Sequence, residues 1–419
     1  MAQRLEPLFF YATIKDNMKI NTDEKAIDKV LTRGVEQVFS EKNDLKKLLM
    51  SGQQIKLYCG FDPTAPSLHI GNAIQINKLA QFQKLGHKVI FLVGDFTALI
   101  GDPTDKSAVR PKLTKEEIEK NAECYQQQAS IFLDFEGENP AEIKYNSEWN
   151  DKLNFRDLIE LSSNFTVQQM IQRDMFQKRI EEEKPIYLHE FLYPLAQAYD
   201  SVVMDVDLEI GGNDQMFNMM RGRDLQKIVN NREKFVLTLK ILADDGGKKM
   251  GKSEGNAVFL DQQPEDIYGA IMSWPDGFIV NTFELITDVS LEEINKMREQ
   301  MENGEVNPRD LKMRLAREIT EIFYGAESSK EAQEDFVEQF QNKGVPENIE
   351  KVKVENIDIL NILVEIEFVK SKGEARRKID EGAVKINDEK IIDQKYKVDL
   401  KDEEEKIIKL GRKMIKLCQ

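Results

Sequence analysis

Cysteine and histidine are scarce in this chain of 419 residues, with three of each. Cys59, Cys124 and Cys418 show no paired spacing and no accompanying histidine cluster, which argues against a disulfide framework or a zinc site. No metal-ligating residue set is expected. No apolar run approaches the roughly 18 residues of a membrane span, so no membrane partner is expected either. The N-terminus lacks a basic-then-apolar leader pattern, and with so little thiol the cytoplasm is the expected compartment. Residues 1–20 match no interpretable pattern. Positive charge is also in deficit: 59 Lys and Arg face 75 Asp and Glu, a net charge of −16. That balance excludes indiscriminate nucleic-acid binding, which needs local positive potential. The deficit is uneven. From Ile357 to Gln419 there are 15 Lys and Arg against 14 Asp and Glu, so the tail is the segment that repels RNA least.

What is present suits two to four domains, since one core does not serve 419 residues. Apolar residues at helical spacing predict a helix over Ala26–Met50. Strand Ile55–Phe61, helix Gly71–Leu85 and strand Lys88–Phe96 form one βαβ unit, and Val89–Val93 is apolar on both faces, like a buried parallel strand. That predicts an α/β catalytic domain with a Rossmann-like, doubly wound sheet. Residues 111–190 read as long polar helices, including Lys115–Phe132 and Asn154–Ile180, inserted between the halves of the sheet. The sheet resumes at Val202–Ile210, followed by a helix over Gln215–Val229 and the run Phe235–Leu242. The turn-rich loop Asp244–Asn256 comes next. Charged amphipathic helix runs from Leu291 to about Gln341, and a turn at Lys343–Pro346 ends it. Short helices and β-runs (Ala383–Asn387, Lys406–Leu410) make the tail a small α+β domain. The expected boundaries are an extension and helix at 1–50, the catalytic domain at 51–265, an all-α domain at 266–345 and the tail at 355–419.

Two segments carry the chemistry. Asp62-Pro63-Thr64-Ala65-Pro66-Ser67-Leu68-His69-Ile70-Gly71-Asn72 joins a strand to a helix start, and Lys248-Lys249-Met250-Gly251-Lys252-Ser253 lies in a Gly- and Lys-rich loop. A histidine at a helix N-terminus donates to phosphate oxygens, the helix dipole adds to it, and glycine lets a nucleotide approach closely. A lone histidine in an apolar stretch is usually packed core, and a lone Lys-Lys is usually an exposed basic loop. Together they suit a reaction that joins a carboxylate to a nucleotide phosphate.

His69-Ile70-Gly71-Asn72 and Lys249-Met250-Gly251-Lys252-Ser253 resemble the HIGH and KMSKS signatures of class I aminoacyl-tRNA synthetases. Asn72 replaces the usual second histidine and keeps an amide donor; Gly251 replaces a serine. Tyr193, Gln197 and Asp200 stand at i, i+4 and i+7, on one helical face, with Pro194 tolerable in a first turn. This spacing resembles the substrate helix of tyrosyl-tRNA synthetases of bacterial type. The resemblance implies that Asp200 and Tyr58 bind the substrate phenol, that Tyr193, Gln197 and Asp102 hold the tyrosine ammonium, and that Gln215 also binds the tyrosine. It implies that Asp62, Thr64, His69, Gly71, Asn72, Gly212, Asp214, Lys249 and Lys252 bind ATP, Asp214 through the ribose. It further implies that Lys106 and Arg110 meet pyrophosphate and that Ser253 adds a hydroxyl. ATP with Mg2+ carried on its phosphates, L-tyrosine and tRNA(Tyr) are the implied partners, and a homodimer through residues 111–190 the implied assembly.

The tail around Ser371–Ile379 and Gly382–Asn387 resembles the small S-four-type RNA-binding domain shared with a ribosomal small-subunit protein. That likeness implies tRNA contacts from Lys372, Arg376, Arg377 and Lys385, although a solvated helix face is the plainer alternative. Asn307–Ala316 resembles the family's helical anticodon-binding region. The rival readings are a tryptophanyl-tRNA synthetase, a catalytically inactive RNA-binding relative, and a coenzyme-forming nucleotidyltransferase.

Overall fold

A computed structural model describes residues 19–103, 113–244, 250, 257–340, 351–354, 357–387, 389–398, 406–411 and 413–418. Two compact units divide the chain, Met1–Gln333 and Glu334–Gln419.

The first unit is built on a six-stranded sheet of β1 (Val35–Phe39), β2 (Lys56–Phe61), β3 (Lys88–Val93), β4 (Glu142–Tyr145), β5 (Leu208–Gly212) and β6 (Phe235–Leu239), in the order β1-β6-β5-β2-β3-β4. β2 to β6 are parallel, and β1 closes the edge antiparallel to β6. The parallel strands therefore run outward in both directions from β2, the doubly wound order whose switch point opens a crevice at the strand carboxyl ends. β2 and β5 pair only through Leu57–Leu208 and Tyr58–Glu209. Beyond those residues the strands part, and the crevice begins. Val89 to Val93 are buried and Phe61 stacks on Phe91 at 4.5 Å, so the sheet centre is apolar on both faces.

Several expected elements differ. Ala26–Met50 is not one helix: Glu24–Thr32 is helical, β1 follows, and Lys42–Met50 is helical again. Gly34 breaks the run at φ +66°, where a Cβ would lie 2.9 Å from Leu285 Cδ2. Beside it the buried Arg33 guanidinium donates to the carbonyls of Phe283, Glu284, Thr287 and Val289. Val35 and Val38 fit helical spacing, but their β-branched side chains also favour a strand. β3 ends at Val93, and Asp95–Ile100 is a helix. The run Val202–Met204 is the last turn of helix Leu192–Met204, which Asp205 stops in the left-handed region. The long helices expected in 111–190 are short ones. Asn154 and Thr166 cap new starts within the second run, and β4 adds a strand at the sheet edge. Glu142 of β4 pairs with Lys88, the charged composition typical of an edge strand.

Helices Pro264–Met272, Ile279–Ile286, Leu291–Glu302 and Pro308–Phe340 follow the sheet, the last interrupted at Gly325. The expected helix from Leu291 thus has a break near Gly304, which takes φ +70°.

The second unit packs helices Ile359–Glu365 and Lys372–Asp380 on a five-stranded sheet, around Ile362, Leu363, Ile379, Val384, Ile408 and Leu417. Ser371 caps the second helix by accepting from the Glu374 N–H, and Gly382 at φ +65° follows its end. The turn expected at Lys343–Pro346 lies outside the described residues.

Candidate active site

A cavity of about 640 Å³ opens where β2 and β5 separate. Tyr58, Asp62, Thr64, His69, Gly71, Asn72, Asp102, Tyr193, Gln197, Asp200, Gly212, Asp214 and Gln215 all line it. Lys249, Lys252, Ser253, Lys106 and Arg110 lie outside the described residues. The flanks of the lysine segment reach the same place. Met250 lines the cavity, and Ile70 donates to the Val258 carbonyl while Leu260 donates to that of Leu68.

One end of the cavity is formed by turns. The loop after β2 is held from below, with Tyr125 donating to the Ala65 carbonyl and Gln128 bonded to Pro66 and Leu68. His69 is the N-cap of helix Ile70–Lys84. Its Nδ1 accepts the Gly71 N–H at 3.0 Å, and its own N–H donates to Asn72 Oδ1 at 3.0 Å. An accepting Nδ1 puts the imidazole hydrogen on Nε2, which makes Nε2 a donor. Gly71 is required sterically, because a Cβ there would sit 2.8 Å from His69 Cε1. Asn72 uses its oxygen in the cap, so its remaining function is as an N–H donor. Across the crevice, a Cβ on Gly212 would lie 2.4 Å from Asp214 Oδ1, and the carboxylate folds over the turn because glycine is there.

The other end is formed by side chains of helix Leu192–Met204. Tyr193 donates to Asp62 Oδ2 at 2.8 Å, and Thr97 donates to Asp62 Oδ1 at 2.7 Å. Gln197 donates to Glu209 Oε1 at 3.0 Å. Tyr58, fully buried, lies 2.9 Å from the Ser201 hydroxyl. Asp102 accepts from Gln215 Nε2 at 2.6 Å and pairs with Arg173 at 3.0 Å.

Asp200 is almost fully buried. It accepts from Trp149 Nε1 at 2.7 Å, Asn150 Nδ2 at 3.2 Å and Asn146 Nδ2 at 3.2 Å. Burial pushes its carboxyl up to about 8, against the pull of these three N–H groups, and the nearby Glu209 pushes the same way. Burial also raises the Tyr58 and Tyr193 hydroxyls well above the ordinary phenol range, so both act as neutral donors.

Sequence reasoning missed Trp149, Asn146 and Asn150, together with Arg173, Thr97, Ser201, Glu209 and Lys234. Trp149 and Asn150 arrive on the short helix Ser147–Asn150 after β4, with Asn146 just before it, and that strand was itself unforeseen. Asn-Ser-Glu-Trp-Asn after an alternating Glu-Ile-Lys-Tyr was the available signal. The cavity thus offers buried acceptors at one end and a helix N-terminus at the other, a division suited to a cationic, hydroxyl-bearing substrate beside a polyphosphate.

Residues 50–341 match the family model for tRNA synthetases class I (W and Y). The chain belongs to that family. Residues 335–417 match the Tyrosine--tRNA ligase SYY-like C-terminal domain. The tyrosine--tRNA ligase of Thermotoga maritima is 42% identical over 387 residues, covering 92% of this chain and 95% of that one. That of Carboxydothermus hydrogenoformans is 44% identical over 377 residues, covering 87% and 90%. Within the W and Y family the chain falls among the tyrosine--tRNA ligases. At the level of fold it is similar to the Aspergillus nidulans mitochondrial tyrosyl-tRNA synthetase, with a TM-score of 0.63 at 21% identity over 75% of this chain and 94% of that one. The Archaeoglobus fulgidus tyrosyl-tRNA synthetase complexed with L-tyrosine gives 0.59 at 20% identity over 74% of this chain and 100% of that one.

Proposed function

We propose that the cleft ligates L-tyrosine to tRNA(Tyr) in two steps, and that the residues named above divide the work as follows. A tyrosine carboxylate oxygen attacks the α-phosphorus of ATP, and pyrophosphate leaves with its electron pair. The terminal adenosine of the tRNA then attacks the carbonyl through a ribose hydroxyl, and AMP leaves. Asp200 and Tyr58 take the substrate phenol; Asp102, Tyr193, Gln197 and Gln215 serve its ammonium end. Asp214 and the Gly212 turn take the ribose, with Asp62, Thr64, Gly71 and Asn72 lining the nucleotide path. His69 Nε2 donates to phosphate oxygens at the positive end of the helix. Lys249, Lys252, Lys106 and Arg110 neutralise charge that builds on the departing pyrophosphate, with Ser253 beside them. Magnesium enters as a partner of the ATP phosphates. Among the described residues no group of three or more His, Cys, Asp or Glu is placed to cage a metal.

The observation that carries this reading is Asp200: a carboxyl group with almost no exposure, held by three donors at the inner end of the cleft. A buried acceptor fits a phenol O–H, and an analogue lacking the hydroxyl leaves it unpaired. The test is ATP–pyrophosphate exchange against all twenty amino acids. Exchange with tyrosine alone is expected; exchange with tryptophan instead, or with none, overturns the reading.

The wider assignments belong to the same proposal. Residues 51–265 are the catalytic domain, 266–345 the anticodon-binding helices and 355–419 the RNA-binding tail, with 1–50 an extension. Lys372, Arg376 and Arg377 are exposed on the tail helix. Lys385 stands directly opposite Lys390 and Lys409 across the tail sheet. A row of like charges aligned in that way supports a phosphate backbone as partner. Exposed Phe155, Ile159, Val167 and Leu188 support a homodimer through residues 111–190. No helix among the described residues is long and apolar enough to cross a membrane, and we assign the chain to the cytoplasm.

A further inference from the structure

Beneath the amino-acid end of the cleft lies a pair of charges that the mechanism above leaves unused. Glu209 of β5 and Lys234, just before β6, form an ion pair that is 2% and 0% exposed. Glu209 is the Cα partner of Tyr58 at the last paired position before β2 and β5 part. Its second oxygen, Oε1, accepts from Gln197 Nε2 at 3.0 Å. Lys234 Nζ donates to the Ser201 hydroxyl at 2.8 Å, and Ser201 lies 2.9 Å from the Tyr58 hydroxyl. The pair therefore touches both Gln197 and, through one hydroxyl, Tyr58.

Room for it is made by a glycine. A Cβ on Gly222, inside helix Met216–Asn230, would lie 2.5 Å from Lys234 Nζ and 2.7 Å from Ser201 Oγ. An interior helical glycine is a poorer helix former than alanine, so the helix gives up local stability at this point. Stability does not explain the pair either, because apolar residues of similar volume commonly serve as well or better.

Hydrogen-bond polarity does explain it. A carboxylate only accepts, so the Gln197 NH2 must face Glu209, which turns the amide oxygen away. That oxygen is buried with no hydrogen-bond partner among the described residues, and Gln197 lines the cavity. An ammonium only donates, so Ser201 accepts from Lys234, and its own hydrogen faces two acceptors, the Tyr58 oxygen at 2.9 Å and Glu209 Oε2 at 3.4 Å, of which Tyr58 is the nearer. Tyr58 can then direct its hydrogen at the cleft.

We propose that Glu209 and Lys234 are a positioning pair that sets the polarity of the amino-acid pocket. Glu209 turns the Gln197 oxygen toward the substrate ammonium. Lys234, through Ser201, turns the Tyr58 O–H toward the substrate phenol oxygen. The proposal rests on the tyrosine reading of the cleft.

The experiment compares binding of tyrosine, phenylalanine and 3-(4-hydroxyphenyl)propionate, which lacks the ammonium, to the full chain and to Glu209→Gln and Ser201→Ala. Glu209→Gln is expected to weaken tyrosine about tenfold while the propionate changes less than about twofold, since one contact to a charged group is lost. Ser201→Ala is expected to cut the preference for tyrosine over phenylalanine by about fivefold, leaving the ratio of tyrosine to the propionate unchanged. KM for ATP stays within about twofold in both. A merely structural role would weaken all three ligands alike, and equal losses or none overturn the proposal. Should Glu209→Gln not fold, Ser201→Ala carries the same decision. Normal tyrosine binding with unaltered ratios overturns the positioning pair alone. Failure of the unaltered chain to bind tyrosine overturns the cleft reading as well.

Discussion

The two ends of the cleft are built by opposite means. At the amino-acid end, side chains hold side chains: Asp200 by Trp149, Asn146 and Asn150, Tyr58 by Ser201, Gln197 by Glu209. At the nucleotide end, backbone and glycine do most of the shaping, through the His69 cap, Gly71 and the Gly212 turn. The difference teaches where selection and catalysis reside. Selection needs polar groups fixed before the substrate arrives, because their cost when left unpaired is what rejects the wrong amino acid. Phosphate chemistry needs donors at a helix start and cations, the role proposed for Lys106, Arg110, Lys249 and Lys252.

Breaking the amino-acid end should have the largest effect. Asp200→Ala removes the acceptor and leaves three buried N–H groups without it. Exchange kinetics should show kcat/KM for tyrosine falling by about 10³-fold, from the lost hydrogen bond together with a phenol O–H left buried without an acceptor. At the nucleotide end, His69→Ala should lower kcat about 10²-fold while KM for tyrosine stays within about twofold, the pattern of a contact made chiefly in the transition state. If Asp200→Ala left KM for tyrosine unchanged, or His69→Ala raised it more than about twofold, the division between the ends would fail.

Acidity sharpens the comparison further. The Asp200 carboxyl is raised to about 8 by burial, so the folded protein holds its proton more tightly than the unfolded chain does. Its stabilising contribution is complete below the unfolded carboxylate range and is lost as pH rises toward 8. Denaturant titrations from pH 4 to 8 should therefore show Asp200→Asn gaining on the parent chain by at most about 1.4 kcal/mol per pH unit. A parallel pair of curves would contradict the assignment. The smallest effect belongs to neither end. Replacing Arg376 and Arg377 by Gln should raise KM for tRNA about fivefold and flatten its salt dependence, leaving pyrophosphate exchange unchanged.

Legibility in the sequence follows the same divide. The βαβ unit, the Asp62–Asn72 turn and the Tyr193–Gln197–Asp200 face were readable because each is local, fixed by period or by neighbouring residues. β1 and β4 were not. Val35 and Val38 fit the helical period and only their β-branching favours a strand, while Gly34 acts through Leu285, about 250 positions away. Glu142–Tyr145 is charged because it is an edge, and so reads as polar loop or helix. The partners that hold Asp200 come from some 50 residues upstream, on the helix that β4 positions. Glu209 and Lys234 look like ordinary strand-flanking charges until the fold places both under Gly222.

The central claim is that the amino-acid end is complete before the nucleotide arrives. Equilibrium binding of tyrosine and of phenylalanine to the full chain, in the absence of ATP, tests it most directly. Stoichiometric tyrosine binding with phenylalanine excluded, and no tightening when a non-hydrolysable ATP analogue is added, is the predicted result. Tyrosine binding that appears only with the nucleotide, or phenylalanine binding of comparable strength, would contradict it.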